Sequence, residues 1–74
     1  MNVEQFAYKM GILGSAYGKD ITKDIIKTWY IFFKYTNEAD FNYAVKTYIE
    51  NNKFFPTIYD MKQIINKKNH KDLK

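Results

Sequence analysis

The stretch NNKFFPTIYDMKQII, residues 51–65, holds two adjacent phenylalanines and the only proline of the chain. Connecting loops run over the protein surface and are normally polar, so paired phenylalanines in a loop need a structural or functional reason. Thr57 and Asp60 have the spacing of a helix N-cap and its N3 residue, which predicts a helix that begins directly after Thr57. Pro56 disfavours the helical conformation at the residue before it, so we expect the chain to enter this helix extended.

The two phenylalanines are predicted to have different roles, because adjacent side chains of an extended segment point in opposite directions. We expect Phe54 to fold back onto the core, since a buried aromatic ring removes a large apolar area from water. Phe55 should then face solvent or a partner, and exposed aromatic residues are typical anchors of protein interfaces. The predicted partner-binding site consists of Lys53, Phe55, Pro56 and Tyr59.

The spacing of apolar residues predicts three further helices before this loop, and therefore an all-α bundle of four helices. The four predicted helices cover about residues 3–17, 22–35, 38–50 and 58–68. Thr22 and Asn37 are the expected N-caps of the second and third helices. Gly18 stands where a left-handed residue commonly ends a helix. We predict one helical domain over residues 1–68 and a flexible basic tail over residues 69–74.

Large apolar residues at helical spacing define the expected core, with Trp29 as its hub. Its predicted members are Trp29, Phe33, Val45, Tyr48, Phe54 and Ile58. Trp29 could instead be a platform for base stacking, but that function needs an exposed ring. Gly11 and Gly14 lie inside the first helix, where each costs about 1 kcal/mol relative to alanine. We expect them to allow close contact with a neighbouring helix, and a flexible hinge is the alternative.

Length and composition restrict the class of protein. Of the 74 residues, 46% are hydrophobic and 19% aromatic, which allows one small packed domain and excludes a disordered chain. No apolar run has the roughly 18 residues that a membrane span needs, and no secretory signal is visible. The chain has no cysteine, which fits a reducing compartment. We therefore expect a cytoplasmic protein.

The net charge of +4 is concentrated at the C-terminal end, where residues 66–74 contain four lysines and one aspartate. Lys67, Lys68, Lys71 and Lys74 are candidates for contact with nucleic acid or a partner. All twelve basic residues are lysine, and the absence of arginine counts against sequence-specific reading of bases. Nucleic acid is thus expected to bind weakly if it binds at all.

Signatures of catalysis are nearly absent from the sequence. The chain has one histidine, His70, one serine and no cysteine, and it has no glycine-rich phosphate loop. His70 has no partner at the spacing of metal ligands. The carboxylates are scattered singly, mostly at helix-capping positions. We therefore expect a protein that is not an enzyme and that needs no cofactor, metal or small-molecule substrate.

The order of Trp29, AVKTYIENNKF at residues 44–54 and PTIYDMKQII at residues 56–65 resembles the phage helicase-loader family. The positions that match the family pattern are Trp29, Ala44, Val45, Tyr48, Phe54, Pro56, Thr57, Ile58 and Asp60. Phe55 departs from it, since family members often have a proline there. The resemblance extends over roughly residues 3–66.

This resemblance implies a role in phage DNA replication inside a bacterial host. Such loaders bind the hexameric replicative helicase, restrain it away from DNA and deliver it to an initiator protein at the origin. They act by contact without ATPase activity, and members usually continue into a longer C-terminal arm that contacts the helicase. The sequence alone leaves two alternatives, a small phage protein that inhibits a host protein and a weak, non-specific DNA-binding module.

Overall fold

The computed structural model describes residues 1–70, with the side chains of residues 1–69. These residues form four helices and no strand: α1 (Val3–Ala16), α2 (Lys23–Phe33), α3 (Glu38–Asn51) and α4 (Ile58–His70). The predicted all-α class and the number of helices are confirmed. The observed bounds differ from the predicted ones by at most two residues, and α4 includes Asn69 and His70, the first two residues of the predicted tail. Residues 71–74 lie outside the described part of the chain.

Short polar side chains start the helices where the sequence predicted them. The Thr22 hydroxyl accepts a hydrogen bond from the Ile25 amide at 3.2 Å, and the Asn37 side chain accepts one from the Ala39 amide at 2.8 Å. Before α4, the Asp60 amide donates to the Thr57 hydroxyl at 3.1 Å. The Thr57 amide in return donates to the Asp60 carboxylate at 2.9 Å, which completes a capping box.

The end of α1 is closed by a glycine turn. Gly18 has a φ of 65°, and the Lys19 amide donates to the Gly14 carbonyl at 2.9 Å while the Gly18 amide donates to the Ser15 carbonyl at 3.3 Å. These two bonds form a Schellman motif, which satisfies carbonyls that the helix itself leaves free. The prediction that Gly18 ends the helix in a left-handed conformation is confirmed.

The explanation expected for the other two glycines is wrong. A Cβ atom on Gly14 would lie 2.7 Å from the Lys19 carbonyl oxygen and would overlap the Ile21 side chain. Gly14 therefore makes room for the loop that follows its own helix, not for a neighbouring helix. Gly11 is exposed, and a Cβ atom there would meet nothing within 4 Å.

The core lies between all four helices, with α3 packed most extensively on α4 and α1 packed on α2 and α3. Aromatic rings form much of it: the Phe33 ring centroid lies 5.1 Å from that of Phe41 and 5.7 Å from that of Trp29. The buried residues are Phe6, Met10, Leu13, Trp29, Phe33, Phe41, Ala44, Val45, Tyr48, Met61 and Ile65. Trp29 is only 7% exposed, so its ring cannot serve as a base-stacking platform.

Candidate partner-binding surface

The loop between α3 and α4 is held at its start by hydrogen bonds from the end of α1. The Tyr17 hydroxyl donates to the Asn52 carbonyl at 3.0 Å and lies 3.4 Å from the Tyr48 carbonyl. The Asn52 side-chain amide also donates to the Tyr48 carbonyl, at 3.2 Å. These bonds satisfy backbone groups at the end of α3 and fix where the chain leaves the helix.

Phe55 is the aromatic residue that inserts into the bundle. Its ring centroid lies 5.9 Å from that of Trp29 and 6.2 Å, edge-on, from that of Tyr17. The Lys19 ammonium group lies 5.3 Å from the same ring, on the side of the α1–α2 loop. Phe55 is consequently half-buried, and Pro56 behind it is buried. The loop therefore closes the core with Phe55 and Pro56.

The predicted orientation of the two phenylalanines is thus reversed. Phe54, expected in the core, is 78% exposed, and Phe55, expected on the surface, packs on the core. The reason is a bend of the chain at Lys53 and Phe54. Pro56 restricts only the residue directly before it, so the extended segment begins at Phe55 and does not include Phe54. The bend turns Phe54 away from the bundle.

The other predicted partner-binding and core residues are divided between surface and interior. Of the predicted partner-binding residues, Lys53 is exposed, and Tyr59, in the first turn of α4, is 68% exposed. The other two, Phe55 and Pro56, are half-buried and buried, respectively. Of the expected core, Ile58 is partly buried. The four others, Trp29, Phe33, Val45 and Tyr48, lie in the interior. We call Lys53, Phe54 and Tyr59 the loop surface.

The lysines expected to bind nucleic acid have different environments. The Lys68 ammonium group forms an ion pair with the Asp40 carboxylate at 3.0 Å and lies 5.6 Å from the Tyr43 ring centroid. Lys68 therefore connects α4 to α3, and its proposed contact with nucleic acid or a partner would compete with this ion pair. Lys67 is exposed beside a groove between the same helices. Lys71 and Lys74 lie outside the described residues.

Two tyrosines near the loop have raised pKa values. Burial raises the pKa of the Tyr17 hydroxyl above its ordinary value of 10.0. Burial, and after it the negative charge of Asp60, raise the pKa of Tyr48 in the same direction. Both hydroxyl groups therefore remain protonated near neutral pH and can donate hydrogen bonds. This keeps the bond from Tyr17 to Asn52 intact over the physiological range.

A second concave surface, which the sequence did not reveal, lies between α1 and α3. It is a groove of about 500 Å³ with Ile12, Val45 and Ile49 among its lining residues. Charged side chains at this groove are paired: the Lys9 ammonium group lies 3.0 Å from the Glu38 carboxylate, and Lys46 lies 3.0 Å from Glu50. The groove is therefore apolar at its base and electrically balanced at its edges.

Over the residues that the structure describes, no three side chains of histidine, cysteine, aspartate or glutamate are grouped so that they could hold a metal ion. No helix within residues 1–70 is long and apolar enough to cross a membrane.

These features define a small domain of four helices that is closed by the α3–α4 loop, with the aromatic rings of Phe54 and Tyr59 exposed beside it. A family model for the N-terminal domain of a phage helicase loader and inhibitor matches residues 1–62. The chain therefore belongs to this family of phage helicase loader and inhibitor N-terminal domains. No curated protein and no solved structure matches the chain. The family is one of loaders and inhibitors and is not itself a family of enzymes.

Proposed function

We propose that this protein is a phage replication adaptor that binds the hexameric replicative helicase, restrains it and delivers it to an initiator protein at the origin. The observation that carries the proposal is the family match over residues 1–62, which covers all of α1, α2 and α3 and the first turn of α4. The role requires only contact with other proteins. It needs no phosphate-binding loop, and the sequence has none.

We assign the loop surface to the contact with the helicase. Phe54 is 78% exposed and Tyr59 is 68% exposed, although both are large enough to fill a core position. Aromatic residues dominate the binding energy of interfaces because they desolvate a large area at little cost in side-chain entropy. Phe55 and Pro56 hold this surface in place from behind, so the exposed rings are presented on a fixed backbone.

Co-elution with the cognate hexameric helicase in size-exclusion chromatography tests the proposal directly. We expect a complex in the presence or absence of ATP, and we expect Phe54→Ser to weaken it at least about tenfold, as loss of an interface anchor does. Tyr8→Ser is the matched control, because Tyr8 is similarly exposed, at 72%, but lies on α1. That variant should bind like the unaltered protein.

Two results would contradict the proposal. Absence of co-elution under both nucleotide conditions would remove the helicase as the partner. Recovery of a different bacterial protein in a pull-down, with the same dependence on Phe54, would assign the loop surface to inhibition of a host protein. Equal binding by the Phe54→Ser and Tyr8→Ser variants would leave the adaptor role intact but would remove the loop surface from it.

A further inference from the structure

The end of α2 exposes a second apolar surface that the loop surface does not include. Ile31 is 66% exposed, Phe32 is 51% exposed and Tyr35, in the turn after the helix, is 91% exposed. Tyr35 follows Ile31 by four positions and Phe32 by three, and residues at these spacings are neighbours on a helix surface. We call Ile31, Phe32 and Tyr35 the α2 patch. The opposite side of α2 carries the buried Trp29 and Phe33.

Two lysines, Lys27 and Lys34, lie beside the α2 patch. Lys27 lies one turn before Ile31, and the Lys34 ammonium group lies 5.2 Å from the Tyr35 ring centroid. Within residues 1–70, the ion pairs of the structure involve other lysines and leave Lys27 and Lys34 without a carboxylate.

The acidic residue of α2, Asp24, lies three positions before Lys27 but forms no ion pair with it in the described part of the chain. Asp24 lies in the first turn of the helix, about two turns before Ile31. The stretch from Lys27 to Tyr35 therefore combines an exposed apolar strip with two lysines that form no ion pair among the described residues. A surface of this kind is complementary to a segment that has apolar residues on one side and carboxylates on the other.

We infer that the α2 patch is a docking site for an acidic amphipathic helix of another protein. The apolar side of that helix covers Ile31 and Tyr35, and its carboxylates lie against Lys27 and Lys34. The inference is independent of the proposed replication role, because it rests on the charges and exposure of α2 alone. It adds a second contact surface, on a different element from the loop surface.

A second copy of the chain is a poor occupant. With about 200 Å² for each fully exposed side chain, the patch presents roughly 400 Å², so a symmetric dimer through it buries roughly 800 Å² in total. Stable interfaces bury about 1,200 Å² or more. The two-fold arrangement would also bring the lysines of one copy against those of the other. The lysine-rich segment from Lys67 onward is unsuitable for the same electrostatic reason.

A single-stranded nucleic acid also fits this surface less well than an acidic helix. Stacking of bases requires open aromatic faces, and the Lys34 ammonium group lies over one of the two faces of the exposed Tyr35 ring. Ile31 faces away from the core between Lys27 and Tyr35 along the helix, and an aliphatic side chain gives a base nothing on which to stack. Apolar side chains of a partner helix, in contrast, pack well on isoleucine.

The test is an NMR titration of the isotope-labelled 74-residue chain with a designed amphipathic peptide that has leucine on one side and glutamate on the other. We expect amide shifts concentrated at residues 27–35, and weaker binding as salt is raised. The same peptide with lysine in place of glutamate should bind at least about tenfold more weakly. A poly-thymidine oligonucleotide is titrated in parallel.

Paired variants separate the proposal from a structural effect. The double change Lys27→Glu with Lys34→Glu should weaken binding of the acidic peptide at least about tenfold and improve binding of the lysine peptide. Ile31→Ser should weaken the binding of both. Lys67→Glu, at the α3–α4 groove, is the control and should change neither.

Several outcomes would overturn the inference. These are no shifts at millimolar peptide, shifts centred on the α1–α3 groove or the loop surface, and equal binding of the two peptides. Tighter binding of the oligonucleotide at residues 27–35 would assign the patch to nucleic acid. Shifts of the same amides that depend on protein concentration alone would assign it to self-association.

Discussion

Phe54 and Phe55 are adjacent and chemically identical, so their different environments arise entirely from the backbone. The chain bends at Lys53 and Phe54, and it is extended only where Pro56 requires it. The ring of Phe55 then lies between those of Trp29 and Tyr17, which come from two other parts of the bundle. The sequence indicates that one phenylalanine is buried and one is exposed. It does not indicate which, because the receiving rings are distant in sequence.

Substitution of each phenylalanine should separate their roles. Phe55→Ala should lower the free energy of unfolding by about 2 kcal/mol, less than for a fully buried phenylalanine because the side chain is only half-buried. Phe54→Ala should change it by less than about 0.5 kcal/mol, as is usual for an exposed side chain. Urea denaturation followed by circular dichroism measures both values. A larger loss for Phe54→Ala than for Phe55→Ala would contradict the observed orientation.

At the scale of the helices, local signals predicted the starts and ends well. Thr22, Asn37 and Thr57 cap the helices that follow them, and Gly18 ends α1, because these interactions form within a few residues and depend little on the rest of the fold. One local signal was missed. The side chain of Asn2 accepts a hydrogen bond from the Gln5 amide at 2.8 Å in a capping box at the start of α1.

The two glycines within α1 provide a test at this scale, because the same substitution should have opposite effects. Gly11→Ala should raise the free energy of unfolding by about 0.5–1 kcal/mol, since the new methyl group meets nothing and alanine favours the helix. Gly14→Ala should lower it by roughly 1 kcal/mol or more, because the methyl group overlaps Ile21 and lies too close to the Lys19 carbonyl.

Thermal and urea denaturation of the two alanine variants measure these changes. The pair is internally controlled, since both positions lie in one helix and gain the same methyl group. Stabilisation by Gly14→Ala would show that the turn after α1 does not approach the helix as closely as the structure indicates. Destabilisation by Gly11→Ala would reveal a contact at that exposed position.

At the scale of the whole molecule, the connections between helices could not be predicted from the sequence. Asp40 and Lys68 are 28 residues apart and form an ion pair between α3 and α4. Tyr17 and Asn52 are 35 residues apart, and their hydrogen bond joins the end of α1 to the start of the α3–α4 loop. Periodicity describes one helix at a time and gives no information on which helices meet. For the same reason the α1–α3 groove was not foreseen.

Tyr17 and Tyr48 make the stability of the whole domain sensitive to alkaline pH. Their pKa values are raised in the folded protein, mainly by burial, above the ordinary value of 10.0. The unfolded chain therefore loses these protons at lower pH than the folded protein does. The corresponding stabilisation is present in full below about pH 10. It is lost as the pH rises through the raised pKa values that the two tyrosines have in the folded protein.

The Tyr17→Phe variant isolates this contribution. Near pH 7 it should be less stable than the unaltered protein by about 1 kcal/mol, since the hydrogen bond to the Asn52 carbonyl is lost. Above about pH 10 the difference should narrow, because only the protein with Tyr17 is destabilised by ionisation of that hydroxyl in the unfolded state.

The Tyr8→Phe variant, at an exposed position of α1, controls for the removal of a tyrosine hydroxyl. Urea denaturation at a series of pH values from neutral to alkaline gives the free energies, and ultraviolet absorbance of the phenolate follows ionisation. If the Tyr17→Phe curve ran parallel to that of the unaltered protein over this range, the hydroxyl of Tyr17 would not be held in the buried, protonated state on which the loop depends.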